Sequence, residues 1–194
     1  MPKAFESFRL ETQTNQAHLM EKYLCRVCWN QNTWIEPCGT SKGERNTFAS
    51  RNHFGHEEWL KQPKWVEGGR RYAFLQPFRS TPPGFVAAEI LLFTKNPNLP
   101  AGSNRFFVGK IRHCRKLSLS DSQHAFALFS KRGWLKQMQM GLRTVSIPHT
   151  LTTTPRDIFN VEFKLSDILW FSTPKLAPSG DYAYRCNHYH LYQI

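Results

Sequence analysis

The chain has 194 residues, the size of one domain with its own core and some decorated loops. Its 26 lysines and arginines stand against 14 acids, for a formal charge of +12 and an isoelectric point near 9.8. That imbalance is the footprint of polyanion binding, because each cation that neutralises a phosphate releases counterions. No apolar run approaches the roughly 18 residues of a membrane span, and the longest, Phe85 to Phe93, is broken by Glu89. The first residues carry no apolar signal core, and the cysteines number five, an odd count. Reduced thiols in a cytoplasmic protein are therefore expected. Cys25 and Cys28 have zinc-like spacing without a second pair, and their segment reads equally as a strand in which cysteine is a small hydrophobe.

In chain order, residues 1 to 20 are polar and irregular, an expected N-terminal extension. Tyr23 to Trp29 is rich in β-favouring residues and gives the first strand. Residues 30 to 69 form a long loop region rich in Asn, Gly, Ser, Arg and Trp, with a short helix around His56 to Leu60. Tyr72 to Phe78 predicts a second strand, and Phe85 to Thr94 a third, largely apolar and hence central. A turn at Asn96 to Gly102 leads to a fourth strand, Arg105 to Cys114. Ser120 offers an N-cap for a helix over 121 to 142, with Ala125, Leu128, Phe129, Leu135, Met138 and Leu142 on one face and Gly133 as a kink. Residues 143 to 157 are loop. Phe159 to Leu165 alternates as a strand, Asp167 to Phe171 continues the core, and the aromatic tail Tyr182 to Tyr192 closes the sheet. The pattern predicts a β-rich α+β domain, 1–194, with a strongly curved sheet or small barrel and a few peripheral helices.

Two clusters carry candidate chemistry. The first, Trp29 to Gly39, places Trp34 beside Asn30 and Asn32 just after a strand. An exposed indole stacks a base and an amide reads a base edge, whereas a buried indole is core. The second, Asn52 to Leu60, gathers Phe54, His56, Glu57, Glu58 and Trp59. An acid there accepts from an exocyclic amine or pairs with Arg45 or Arg51. Phosphate contacts are expected from Lys42, Arg45, Arg51, Arg70, Arg71, Arg79, Lys110, Arg112, Arg115 and Lys116, with Lys131, Arg132 and Lys136 on the helix. Catalytic signatures are missing: the sequence has no Gly-x-Ser-x-Gly, Walker loop or dinucleotide fingerprint. No catalytic residue, metal ligand or cofactor is expected.

Several short motifs resemble those of the PUA-like superfamily, and within it the EVE/YTH-type readers of modified bases. Tyr23 to Pro37 resembles the opening strand followed by an Asn-Trp turn. Phe54-Gly55-His56-Glu57-Glu58-Trp59 resembles a motif of the N-terminal domains of modification-dependent HNH restriction enzymes. Arg105 to Ile111 resembles the strand with a central glycine, and Gly133-Trp134-Leu135 and Phe159 to Phe163 fit later elements. The resemblance implies a small curved sheet enclosing a pocket into which a base is flipped and clamped between aromatic rings. Carried to this chain, it makes Trp34 and Trp59 the pocket walls, with Asn30 or Asn32 and Glu57 or Glu58 reading polar edges. Cys38 stands where a serine is expected.

The expected function follows from the charge, the loop tryptophans and this resemblance. It is recognition of a modified base in duplex DNA, 5-methylcytosine or a related modified cytosine, so as to target a restriction nuclease that resides in a further domain or a partner subunit. The alternatives are an RNA-binding PUA-like module and a metal-dependent nuclease.

Overall fold

Seven strands and five α-helices make up the described part of the chain in the computed structural model, which describes residues 21–40, 48–151, 154–186 and 188–194. The expected N-terminal extension and the candidate phosphate ligands Lys42 and Arg45 lie outside the described residues. The strands are β1 (Lys22–Val27), β2 (Arg70–Ala73), β3 (Val86–Lys95), β4 (Arg105–Lys116), β5 (Val161–Lys164), β6 (Ile168–Leu176) and β7 (Leu191–Gln193). The helices are α1 (Phe48–Asn52), α2 (Leu119–Lys131), α3 (Trp134–Thr144), α4 (Pro155–Ile158) and α5 (Tyr182–Arg185). The fold class is α+β, as the sequence predicts. Among the described residues no helix is long and apolar enough to cross a membrane.

The strands form one open sheet in the order β2-β5-β4-β3-β1-β7, with β6 also on β4. β4 serves two neighbours along one edge. Phe106 to Ile111 pair with β6, and Arg115 and Lys116 pair with β5. Gly109 permits the first of these pairings. A Cβ there would stand 2.7 Å from the Leu169 carbonyl oxygen and 2.8 Å from the Trp170 ring, so only glycine lets β6 approach. β1 pairs with β3 in parallel, and a parallel pair needs a long crossover rather than a hairpin. That crossover, residues 28–85, holds α1, β2 and two 3₁₀ turns, His56–Trp59 and Gln76–Ser80.

Three apolar clusters make the core. The largest lies along the sheet and includes Cys25, Ile90, Leu92, Ile111, Trp34 and Leu60. The second packs α2 and α3 through Phe129, Met138 and Leu142 onto Trp59, Trp65 and Phe159. The third joins Leu24 and Phe93 to Ala177, Ala183 and Cys186. Cys25 and Cys28 are buried and not disulfide-bonded, and among the described residues no three His, Cys, Asp or Glu side chains are grouped to hold a metal ion.

Several elements differ from their sequence expectation. The strand expected at Tyr72 to Phe78 is Arg70–Ala73 followed by a 3₁₀ turn, because Pro77 cannot donate to a ladder. The helix expected over 121 to 142 is two helices. Gly133 takes a left-handed φ of 73° between them, which ends a helix rather than bending it. The N-cap is Ser118, not Ser120. Ser118 Oγ accepts from the Asp121 amide at 3.1 Å, and Asp121 Oδ2 accepts from the Ser118 amide at 3.2 Å, a reciprocal capping box. Asp167 to Phe171 continues the core only in part: Ile168 and Trp170 are half-buried and pack against the sheet's apolar cluster, while the rest of β6 is largely exposed. The aromatic tail folds as α5 and then β7, which adds to the outer edge of β1 and leaves the sheet open.

Candidate functional site

The site is built on the crossover, starting from an unusual turn after β1. Trp34 has a left-handed φ of 60°, a conformation that costs a bulky residue of order 1–3 kcal/mol. Hydrogen bonds on both sides hold it there. Its amide donates to Asn30 Oδ1 at 2.9 Å and its indole Nε1 to the Cys28 carbonyl at 3.0 Å. The Asn30 amide group donates onward to the Glu36 carbonyl at 2.9 Å and to Glu58 Oε2 at 2.6 Å. Glu58 also accepts from the Cys38 amide at 2.8 Å and, through Oε1, from the Gly55 amide at 3.0 Å. This network fixes the Gly55 to Trp59 turn against the end of β1. A second clamp works from the other side. Asn160 accepts from the Leu75 amide and donates to the Leu75 carbonyl, both at 2.8 Å, which fixes Phe74 and Gln76.

Between these clamps opens a cavity of about 390 Å³. Phe48 and Ala49 of α1, Gly55, His56 and Glu57 of the first 3₁₀ turn, and Phe74, Gln76 and Arg79 around the second line it. Cys28 from the end of β1, His149 from the loop after α3, Asp157 of α4 and Tyr189 complete the lining. Every lining residue lies outside the strands. The walls are aromatic. His56 stacks on Phe48 with ring centroids 5.0 Å apart and 28° between planes, and meets Phe54 and Phe74 edge-on. His149 packs edge-on against Phe48. The volume falls within the roughly 300–1,000 Å³ of small-molecule sites, which share this pattern of apolar walls with a few fixed polar groups.

Two polar groups in the lining have strongly shifted acidities. Burial pushes the Glu57 carboxyl up to about 7, against the opposing hydrogen bonds of its own amide, the Gln76 amide and the Cys28 thiol. Burial, helped by His149 and Arg79, pushes His56 down to about 3, so its ring is neutral at pH 7. His56 Nε2 is shielded from solvent and has no hydrogen-bond partner among the described residues, which leaves a polar atom for a ligand to satisfy. On the cavity lining Arg79 lies 3.5 Å from Asp157. Arg79 and Arg156 together depress the Lys116 ammonium after burial itself, so three cations cluster beside this lining.

The structure brings His56 and Glu57 to the cavity, and packs Phe54 edge-on behind the His56 wall without exposing it. It does not bring the tryptophans. Trp34 and Trp59 are 5% and 6% exposed and belong to the core clusters, because each indole is consumed in packing. Glu58 and Asn30 are buried in the hydrogen-bond network and serve as scaffold. Asn32 is exposed and its amide group caps the Pro37 carbonyl at 2.9 Å. Cys38 lies beside Glu58 and not in the cavity lining. Among the expected phosphate ligands, Arg71 is buried and donates to the Leu60 carbonyl at 2.8 Å. Arg70 and Arg115 both grip Glu162, at 3.0 and 2.8 Å, and Lys110 and Arg112 flank Glu89. Arg51 is exposed on α1, and Arg79 and Lys116 join the cation cluster. The cavity residues that the sequence reading missed as pocket residues include Cys28, Phe48, Ala49, Phe74, Gln76, His149, Asp157 and Tyr189. Nothing local marks them, since seven separate segments supply the lining.

The chain matches no family model, and no curated protein or solved structure matches it.

Proposed function

We propose that this protein binds nucleic acid and takes one flipped base, a modified cytosine such as 5-methylcytosine in duplex DNA, into the cavity between α1 and the two 3₁₀ turns. The observation that carries the reading is the cavity itself: an aromatic-walled hole with a buried carboxyl and an imidazole, opening on a chain of net charge +12. Extruding a base costs a few kcal/mol, and stacking returns roughly 1–3 kcal/mol per base. Phe48, His56 and Phe74 would supply the stacking faces, and Glu57 the polar edge. Arg79, Lys116 and Arg156 would take the phosphates flanking the flipped nucleotide, since backbone contacts fix register without reading sequence.

On this reading the chain is an outlying PUA-like reader of the EVE/YTH type, its curved sheet opened rather than closed into a barrel. It recognises without cutting, in the cytoplasm, and directs a nuclease carried by another domain or subunit. The test is binding to matched duplexes carrying cytosine, 5-methylcytosine, 5-hydroxymethylcytosine or 6-methyladenine at about 150 mM salt, where phosphate contacts alone bind weakly, with single-stranded RNA in competition. A preference for one modified duplex that Phe48→Ala weakens supports the reading. Equal binding to all duplexes, or a win for the RNA, sinks it.

A further inference from the structure

Two carboxyl groups adjacent in sequence sit in unequal surroundings, and of the two only Glu57 lines the cavity. Glu58 accepts three N–H hydrogen bonds, from Asn30, Cys38 and Gly55, and such bonds favour the charged form. Glu57 accepts the Gln76 amide through Oε1 at 3.1 Å, is also bonded by its own amide and the Cys28 thiol, and lines the cavity. Its Oε2 sits so close to Gly55 that a Cβ there would stand 2.7 Å away. Arg79, the cation that shares the cavity lining, faces Asp157 instead. Burial raises both carboxyls, two buried neighbouring carboxylates cannot both hold a charge cheaply, and the one with fewer N–H donors takes the proton.

Resting on the base-pocket reading, we propose that Glu57 meets its ligand as a neutral carboxylic acid, donating one hydrogen bond and accepting another. The cavity then takes an uncharged heterocycle edge on which a donor adjoins an acceptor, as the N4 amine adjoins N3 on cytosine. A charged carboxylate would set its lone pairs against that of N3, whereas the acid places a proton between them. The groups around Glu57 agree. His56 and Glu58 face it from its own turn, Cys25 and Cys28 from the end of β1, and Arg79 from the second 3₁₀ turn. His149, Asp157 and Tyr189 approach from three further segments. Burial keeps His56 neutral across the physiological range, and burial raises Glu57 into it.

The test is the affinity for a duplex carrying 5-methylcytosine, measured by fluorescence anisotropy from pH 6 to 8 at fixed ionic strength for the native protein and for Glu57→Gln. Taking the ratio of the two proteins divides out the pH effects they share. The ratio of native to variant affinity should fall about tenfold from pH 6 to pH 8, because only the protonated fraction of the native protein binds, while the amide of Glu57→Gln presents one donor and one acceptor at any pH. A ratio that holds or grows with pH, with the native preference for 5-methylcytosine over cytosine intact, overturns the neutral-acid proposal while leaving the base pocket standing. No preference for the modified duplex at any pH overturns both. A thermal melt of Glu57→Gln separates lost recognition from lost folding, and the native series on the modified duplex, set against the native series on heparin, carries the same tenfold fall without the variant.

Discussion

The turn at His56–Trp59 has two faces, and they hold the same chemistry to opposite ends. On one face Glu58 is enclosed by three N–H donors and ties Asn30, Cys38 and Gly55 into a single scaffold. On the other, Glu57 accepts the Gln76 amide, is bonded by its own amide and the Cys28 thiol, and lines the cavity. The pair teaches that a carboxyl's role is set by which donors the fold aims at it and by whether it faces a cavity. An acid that ties three segments together is a strut, and an acid on a cavity wall is a recognition group.

The sharpest break of this comparison is Glu58→Ala. It strands three buried donors at roughly 1–3 kcal/mol each, so a loss of about 3–6 kcal/mol is expected by denaturant unfolding, with binding lost because the scaffold goes. Next is Glu57→Gln, read as stability against pH. The folded-state pKa of Glu57 is raised from 4.5 to about 7, so its stabilising contribution is present below pH 4.5 and is lost as pH rises through 7. His56, lowered to about 3, works the other way: its contribution is present above about 6.5 and lost as pH falls toward 3. Removing the Glu57 titration should therefore raise the variant's stability relative to the native protein by about 3 kcal/mol between pH 4 and pH 8. Gly55→Ala pushes a methyl group into the Glu57 carboxyl and Cys28 Sγ, with an expected cost of about 1–3 kcal/mol and a misplaced cavity wall. Phe48→Ala, at a partly exposed ring, should leave folding nearly intact and weaken binding of the preferred duplex by about tenfold, from lost stacking. The smallest effect is expected for Arg79→Ala with Arg156→Ala. Melting should be unchanged within about 0.5 kcal/mol, while the salt dependence of DNA binding falls by about one unit of slope per lost phosphate contact.

Local pattern carried much of the fold. β1, β3 and β4 stand out because apolar and β-favouring residues are dense there, and α2 because its apolar residues keep helical spacing. The Gly55 to Trp59 segment was legible as a site because acids, histidines and aromatics cluster in an otherwise basic chain. Its inner division was not. Trp34 and Trp59 look like stacking platforms in sequence, yet both are core, because burial depends on what packs against them from β2, α2 and α3. Phe48, His149 and Asp157 carry no local mark of function at all. Phe48 reaches the cavity from the crossover between the parallel strands β1 and β3, whereas His149 and Asp157 arrive from the loop after α3 and from α4.

That parallel pairing also dictates when the cavity comes into being. Its lining reaches from Cys28 to Tyr189, nearly the whole described chain, and contacts of such separation form late because closing long loops is entropically costly. No fragment of the crossover can hold the hole open by itself. A ligand that fits it binds only the native state and stabilises by mass action. Occupancy should therefore raise the unfolding midpoint of the sheet and the helices together, and bound base and intact fold become one cooperative unit.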